Sequence, residues 1–242
     1  MMHIPFHWQS PPDTIQLSAT HIHVWLASLV VSEEQQQYYY SLLSIDEQQR
    51  ADKFCVVLPQ QRFIVARGML RELLARYLPE QPLVFQYGEY GKPYLANEPL
   101  YFNLSHAEEQ LIIAVSYVSP LGIDVEYNLR RTDRQLISEH VFTQQEQQYL
   151  LRIPESQQCS AFFHCWTRKE AYIKAIGQGV FANLNTLPTT LANGQANQAL
   201  VDEQQQCWKI IDLPTIDGYK MALAYLAQEL VEVKCWRSKD NL

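Results

Sequence analysis

The sequence predicts an α+β protein built from two similar α+β halves, with the functional site in the cleft between them. Three observations lead to that expectation. The chain has 242 residues, more than one ordinary small domain needs. Ser44-Ile45-Asp46-Glu47 and Phe142-Thr143-Gln144-Gln145-Glu146 each carry a capping-box pattern, and each is followed by a longer helical stretch. At the same sequence offset, the strand-like Val24-Trp25-Leu26 falls on Ile123-Asp124-Val125. Residue identity between the two stretches is low, so the duplication rests on the order of elements. The halves are expected at 1–119 and 120–242, joined near Val118–Leu121.

In chain order, residues 1–19 read as an extended lead-in because of Pro11-Pro12. His21-Ile22-His23-Val24-Trp25-Leu26 alternates and is β-rich, which predicts a strand with His21 and His23 at polar positions of a half-buried surface. The pair could also be read as metal ligands, but no third ligand stands at a sensible spacing. The Ser44 box predicts a helix to about Val57, broken by Pro59. A longer helix is expected over Gln60–Tyr77, with Phe63, Ala66, Leu70, Leu73, Leu74 and Tyr77 as its apolar stripe. Short strands follow at 83–86, 100–104, 111–118 and 119–126, with turns at Gly88, Gly91-Lys92-Pro93 and Asn97-Glu98-Pro99. The Thr143 box opens a helix to about Leu151, and another helix carries Trp166 and ends at Gly177, a natural left-handed terminator. Residues 183–199, with Pro188 and Gly194, read as turns with room for one short strand. Strands near 207–212 and 219–226 complete the fold.

Composition narrows the function. The chain is 47% hydrophobic and 19% charged, which supports a packed core. A net charge of −7 argues against a nucleic-acid binder. The five cysteines form no C-x-x-C pair, as expected of a reduced cytoplasmic protein. No basic n-region precedes an apolar run, and no apolar stretch approaches a membrane span, so neither a signal peptide nor membrane insertion is expected. Arg50, Lys53, Arg62, Arg67, Arg71 and Arg76 make the two N-terminal helices the most basic part of an acidic chain. They form either solvated helix faces or the wall of a polyanion pocket.

Two stretches carry chemistry. In Trp166-Thr167-Arg168-Lys169-Glu170-Ala171-Tyr172-Ile173-Lys174, the residues Trp166, Glu170 and Lys174 share one helix stripe. By itself that is an ordinary solvated acid–base pair. Upstream, Leu121-Gly122-Ile123-Asp124-Val125-Glu126 alternates, placing Asp124 and Glu126 on one strand face, about 7 Å apart, with Ile123 and Val125 on the other. Two such carboxylates repel unless a cation or water lies between them. Asp124, Glu126 and Glu170 together suggest a divalent cation site serving a phosphorylated ligand, with Lys174 reaching a phosphate oxygen. Mg²⁺ suits a few carboxylates combined with waters and substrate phosphates.

The same residues carry a family resemblance. Gly122-Ile-Asp-Val-Glu126, then Phe162-x-x-x-Trp166-Thr-x-Lys169-Glu170-Ala-x-x-Lys174, together with Tyr90-Gly91-Lys92-Pro93 and Phe102-Asn103-Leu104-Ser105-His106-Ala107, resemble the signature blocks of the 4′-phosphopantetheinyl transferases. The longer, single-chain surfactin-type class is the nearest match. The resemblance implies a pseudo-twofold fold and transfer of phosphopantetheine from coenzyme A to a serine of an apo acyl or peptidyl carrier protein. It implies Mg²⁺ on Asp124, Glu126 and Glu170, with Lys174 along the diphosphate and Glu170, or a water it contacts, as the base. Glu146 is a second candidate base, although its capping position favours a structural role. Lys92 is implied at the adenine end of coenzyme A, Ser105 and His106 near the 3′-phosphate, and Arg50 and Arg62 at phosphate contacts. Glu47 departs from the pattern, since relatives can carry a lysine there. Trp166 is expected to pack beside the site.

A carrier would dock on an apolar and locally basic surface. Leu129-Arg130-Arg131-Thr132-Asp133-Arg134, with Leu136, Ile137, Val141 and Phe142, could supply one, or could form a solvated linker and core positions. A monomer is expected, because duplication builds the interface into one chain. Two other readings use the same residues: a Mg²⁺-dependent phosphohydrolase, which lacks any Gly-rich phosphate loop among eight scattered glycines, and a coenzyme A- or carrier-binding module without turnover.

Overall fold

The computed structural model describes residues 7–79, 82–95, 99–129, 133–178, 184–186, 191–192, 195–196, 199–202, 204–227 and 231–238. The expected turn residues Asn97 and Glu98, most of the 183–199 segment including Pro188 and Gly194, and Arg130, Arg131 and Thr132 lie outside them.

The chain begins with β1 (His21–Ser28) and three helices, α1 (Glu33–Leu42), α2 (Ile45–Asp52) and α3 (Val57–Tyr77). A short hairpin, β2 (Phe85–Tyr87) and β3 (Pro93–Leu95), leads into β4 (Tyr101–Ala107) and β5 (Gln110–Ser116). The order then repeats: β6 (Leu121–Tyr127), helices α4 (Arg134–Val141), α5 (Gln144–Arg152) and α6 (Glu155–Ile176), a 3-10 turn at Leu184–Thr186, and strands β7 (Leu191–Ala192) to β9 (Ala199–Val201), with β8 (Gln195–Ala196) between them. β10 (Cys207–Asp212), β11 (Tyr219–Leu226) and β12 (Glu232–Arg237) finish the chain. One sheet runs β12-β1-β5-β4 and the other β6-β11-β10-β9. In both, the strand preceding the three helices pairs antiparallel with a later strand of the same set, β1 with β5 and β6 with β11.

Several boundaries differ from the sequence reading for local reasons. α1 was not expected from its glutamine-rich run, yet Ser32 accepts from Gln35 N and Gln35 returns the bond to Ser32 N, closing a capping box. α2 ends at Asp52 rather than near Val57. α3 starts at Val57 because Pro59 sits in its first turn, where a missing N–H forfeits no helix bond. α4, not expected as a helix, follows the stretch read as a possible linker, with Asp133 Oδ1 accepting from Leu136 N at 3.0 Å. α6 ends as its sequence requires: Gly177 has φ +72° and its N–H bonds to Ile173 O at 2.9 Å. Two strands depart from the expectation: β3, which begins at Pro93 where a turn was expected, and β12, which returns from the C-terminal part of the chain to pair in parallel with β1, His21 opposite Glu232 and Trp25 opposite Trp236.

The two sheets pack on each other through alternate residues. Ile22, Val24 and Leu26 of β1 meet Leu121, Ile123 and Val125 of β6 in one buried cluster. The other face of β1 lies under the N-terminal helices, where Trp25 and Ala27 join Met69, Leu70 and Leu73. His23 is there too and fully buried, a correction to its expected half-exposed position. Its Nδ1 lies 2.9 Å from Tyr77 Oη, which also accepts from Trp25 Nε1 at 2.8 Å. Burial, then the charges of His21 and Lys234, push the His23 imidazole down to about 3. On the other sheet, Ala171, Tyr172 and Ala175 of α6 lie against Trp208, Ile210, Ala222 and Ala224.

Candidate active site

The site is made where α6 crosses β6. Gly122 permits the crossing: a Cβ there would stand 2.1 Å from Ala171 O and 2.2 Å from Ala175 N. The helix backbone therefore rests directly on the strand. Asp124 and Glu126, on the same strand face as Gly122, come up beside the helix stripe of Trp166, Glu170 and Lys174.

Asp124 is 2% exposed. Its Oδ1 accepts from Lys174 Nζ at 2.5 Å and from Ser105 Oγ at 2.8 Å, and Lys174 Nζ also donates to Ser105 Oγ at 2.9 Å. Ser105 belongs to β4, so strands from the two sheets meet at one carboxylate. A second link lies beside it, where Ile123 N donates to Asn103 Oδ1 at 2.8 Å. Glu126 Oε1 accepts from Trp166 Nε1 at 2.7 Å, and the indole stacks on Phe162 with ring planes 7° apart. Trp166 thus sits beside the site and ties it to the helix core. Burial acts to lower the Lys174 pKa, but Asp124, Glu170 and Glu126 outweigh it and hold the ammonium protonated above its ordinary range. All three acids expected at a metal site therefore act on one point.

That point bears on Mg²⁺. Asp124 Oδ2 is buried and has no hydrogen-bond partner, an orphan of the kind a hard cation satisfies. The donor set fits magnesium in kind. As the side chains stand, no three His, Cys, Asp or Glu groups among the described residues are close enough to hold one ion, and the positive charge among the acids is the Lys174 ammonium.

The basic residues of the N-terminal segment are held in different ways. His106 follows Ser105 on β4, and desolvation, then Lys174 and Arg62, lower its pKa. Arg62 donates to Glu108 Oε2 at 2.8 Å near the surface. Arg50 lies over the Phe63 ring, 5.2 Å from its centroid. Arg67 and Arg71, which sequence reasoning left among undifferentiated helix cations, both pair with the buried Glu47, at 3.3 and 2.5 Å. Glu47 also accepts from Ser44 N at 3.0 Å, so the position that departs from the family pattern is taken up by the α2 cap and a buried ion pair.

Lys92 has partners that no local pattern announced. Its ammonium donates to three backbone carbonyls, Lys174 O at 2.5 Å, Leu121 O at 2.9 Å and Ala175 O at 3.4 Å. Glu146 is likewise tied into structure, accepting from Thr143 N at 2.9 Å and pairing with the fully buried Lys169 at 3.0 Å. Of the surface considered for a carrier, Leu129 and Leu136 are exposed while Val141 and Phe142 are buried in the α4–α6 core.

Two strand carboxylates, a lysine paired with one of them and the imidazole of the next residue on β4 thus stand together where β6, α6 and β4 meet. Comparison with known proteins gives the particular family. The profile of the 4′-phosphopantetheinyl transferase superfamily matches residues 120–224. The 4′-phosphopantetheinyl transferase HetI of Nostoc sp. is 33% identical over 90% of this chain and 92% of its own length. The transferase psf-1 of Bacillus pumilus is 31% identical over 75% of this chain and 78% of its own, and Sfp of Bacillus subtilis 29% over 76% and 82%. The chain belongs to the 4′-phosphopantetheinyl transferase family, as its motifs led one to expect.

Proposed function

We propose that this protein transfers the 4′-phosphopantetheine group of coenzyme A to a serine of an apo carrier protein, releasing 3′,5′-ADP. Family membership supports the activity. The observation that carries the assignment of residues is the joint of Asp124, Ser105 and Lys174, because it joins the acidic strand, the α6 stripe and β4, the strand that also carries His106.

In this reading His106, Arg50 and Arg62 receive the phosphates of the nucleotide end, with Ser105 beside them. Lys174 is set against the diphosphate and offsets charge on the departing nucleotide. The carrier serine oxygen attacks the phosphorus bearing the pantetheine arm, a new P–O bond forms, and the bond to the bridging diphosphate oxygen breaks. Glu170 takes the serine proton, a contribution of about 10²- to 10⁴-fold for a positioned base. Asp124, Glu126 and Glu170 would hold Mg²⁺, which when bound supplies Lewis-acid neutralisation of the diphosphate. Residues 1–119 and 120–242 are read as two pseudo-twofold halves, with β12 reaching back across the division. The protein is read as a cytoplasmic monomer. No helix among the described residues is long and apolar enough to cross a membrane.

The test is incubation with coenzyme A, Mg²⁺ and an apo carrier, followed by mass spectrometry of the carrier. A phosphopantetheine mass gain that a chelator abolishes and Mg²⁺ restores is the expected result. Nucleotide release without carrier modification would indicate hydrolysis, and binding without turnover a passive module; either overturns the proposal.

A further inference from the structure

We infer that Lys92 is a positioning residue: through its ammonium, the N-terminal half holds the end of the catalytic helix against the acidic strand. The inference rests on reading Lys174 as a catalytic group. It takes Lys92 away from the nucleotide contact implied by resemblance.

The supporting geometry is non-local and specific. Lys92 stands at the end of the β2–β3 hairpin loop, where Gly91 has φ +79° and Gly88 N donates to Lys92 O at 2.9 Å. That turn, with Pro93 fixing the next backbone angle, directs the side chain out of the hairpin and across to the C-terminal half. An ammonium has three donors and no acceptor. Here it finds three acceptors, all of them backbone carbonyls: Leu121 O at the start of β6, and Lys174 O and Ala175 O in the last turn of α6. The last carbonyls of a helix lack partners within the helix and carry the negative end of its dipole, so a buried cation is suited to that position. Among the described residues no carboxylate pairs with Lys92, and burial alone pulls its pKa down to about 8.

The consequence is mechanical. One of the three carbonyls belongs to Lys174 itself, and another adjoins Gly122, the residue on which the helix rests. Lys92 therefore fixes both backbones whose separation sets the reach from the Lys174 ammonium to Asp124. A nucleotide-binding lysine would act on substrate affinity. A strut acts on the rate of the bound complex, since a misplacement of about 1 Å costs on the order of 10²-fold.

Steady-state kinetics with coenzyme A and an apo carrier separate the two roles. Lys92→Met, which keeps bulk and removes every donor, should lower kcat by about 10- to 100-fold with the KM for coenzyme A unchanged, and Lys92→Arg should recover part of kcat. A raised KM with unchanged kcat, or no change in either, overturns the inference. Should Lys92→Met not fold, Lys92→Gln takes its place. Hydrogen exchange over residues 171–176 should then be faster than in the wild type, and unchanged exchange counts against the strut. Lys174→Met is the control: if it retains full kcat, the catalytic reading of Lys174 has failed, whereas loss of kcat there combined with full kcat in Lys92→Met refutes only the role given to Lys92.

Discussion

β1 and β6 hold the same place in the order of elements, though β1 lies between β12 and β5 and β6 is an edge strand, and one is closed by packing where the other carries the candidate site. Each precedes three helices and packs its inner face, Ile22, Val24 and Leu26 against Leu121, Ile123 and Val125, into the shared core. On the helix-facing side, β1 presents His23, Trp25 and Ala27, filled in by Tyr77 and Trp236, with the Arg76 guanidinium over the Trp25 ring. β6 presents Gly122, Asp124 and Glu126 at the corresponding places. The missing side chain of Gly122 lets α6 descend, and the two acids then face Trp166 and Lys174. The buried ion pairs behind the helices show the same economy. Glu47 with Arg67 and Arg71, and Glu146 with Lys169, each join a capping box to the long helix of its half. The comparison teaches that three strand positions, Gly122, Asp124 and Glu126 against His23, Trp25 and Ala27, separate a strand face that is closed by packing from one that carries paired acids.

The most direct way to break the comparison is Asp124→Ala. Carrier modification should fall by at least about 10²-fold while the circular dichroism melt keeps a cooperative transition; retained activity would remove Asp124 from the site. The matching change on the closed strand, Trp25→Ala, should do the reverse. It empties a fully buried site and should cost about 3–5 kcal/mol by denaturant titration, with kcat of the folded protein unchanged. Gly122→Ala sharpens the geometric point, because its methyl group meets helix backbone rather than a yielding side chain. Overpacking of this kind costs about 1–3 kcal/mol and should lower kcat as α6 is lifted from β6; a variant of wild-type rate and stability would show the close approach to be dispensable.

A last contrast concerns pH. The His23 imidazole is held down to about 3 in the folded chain against an unfolded value of 6.5. Between those values the unfolded chain binds the extra proton, so this contribution to stability is complete above about pH 6.5 and is lost as pH falls toward 3. Urea melts of His23→Gln should show a shallower loss of stability across that window than the wild type. Equal slopes would mean that His23 is not the titrating group.

Much of this was legible in the sequence, and the reasons are local. Alternation over Leu121–Glu126 separates acids from apolar residues whatever the strand's neighbours, and the four-residue spacing of Trp166, Glu170 and Lys174 aligns them on any helix. The capping boxes at Ser44 and Thr143 and the left-handed stop at Gly177 are written in adjacent residues. What escaped depends on distant partners. The polar run of α1 gives no periodic apolar stripe, so its Ser32–Gln35 cap was its one local sign. His23 looked like a polar strand position because the alternation does not say that helices cover that face as well. Glu47 looked like a departure from the family pattern, and only the folded arrangement gives it Arg67 and Arg71.

The sequence by itself determined the family, the two chemical stretches and the sides on which their reactive groups stand, since periodicity and capping act over a few residues. Tertiary structure decided that β12 closes on β1, that Ser105 and Lys174 share one oxygen of Asp124, and that Lys92 grips the end of α6. Those contacts join residues far apart in the chain, and their hydrogen bonds are made to whatever backbone the packed sheets bring within reach.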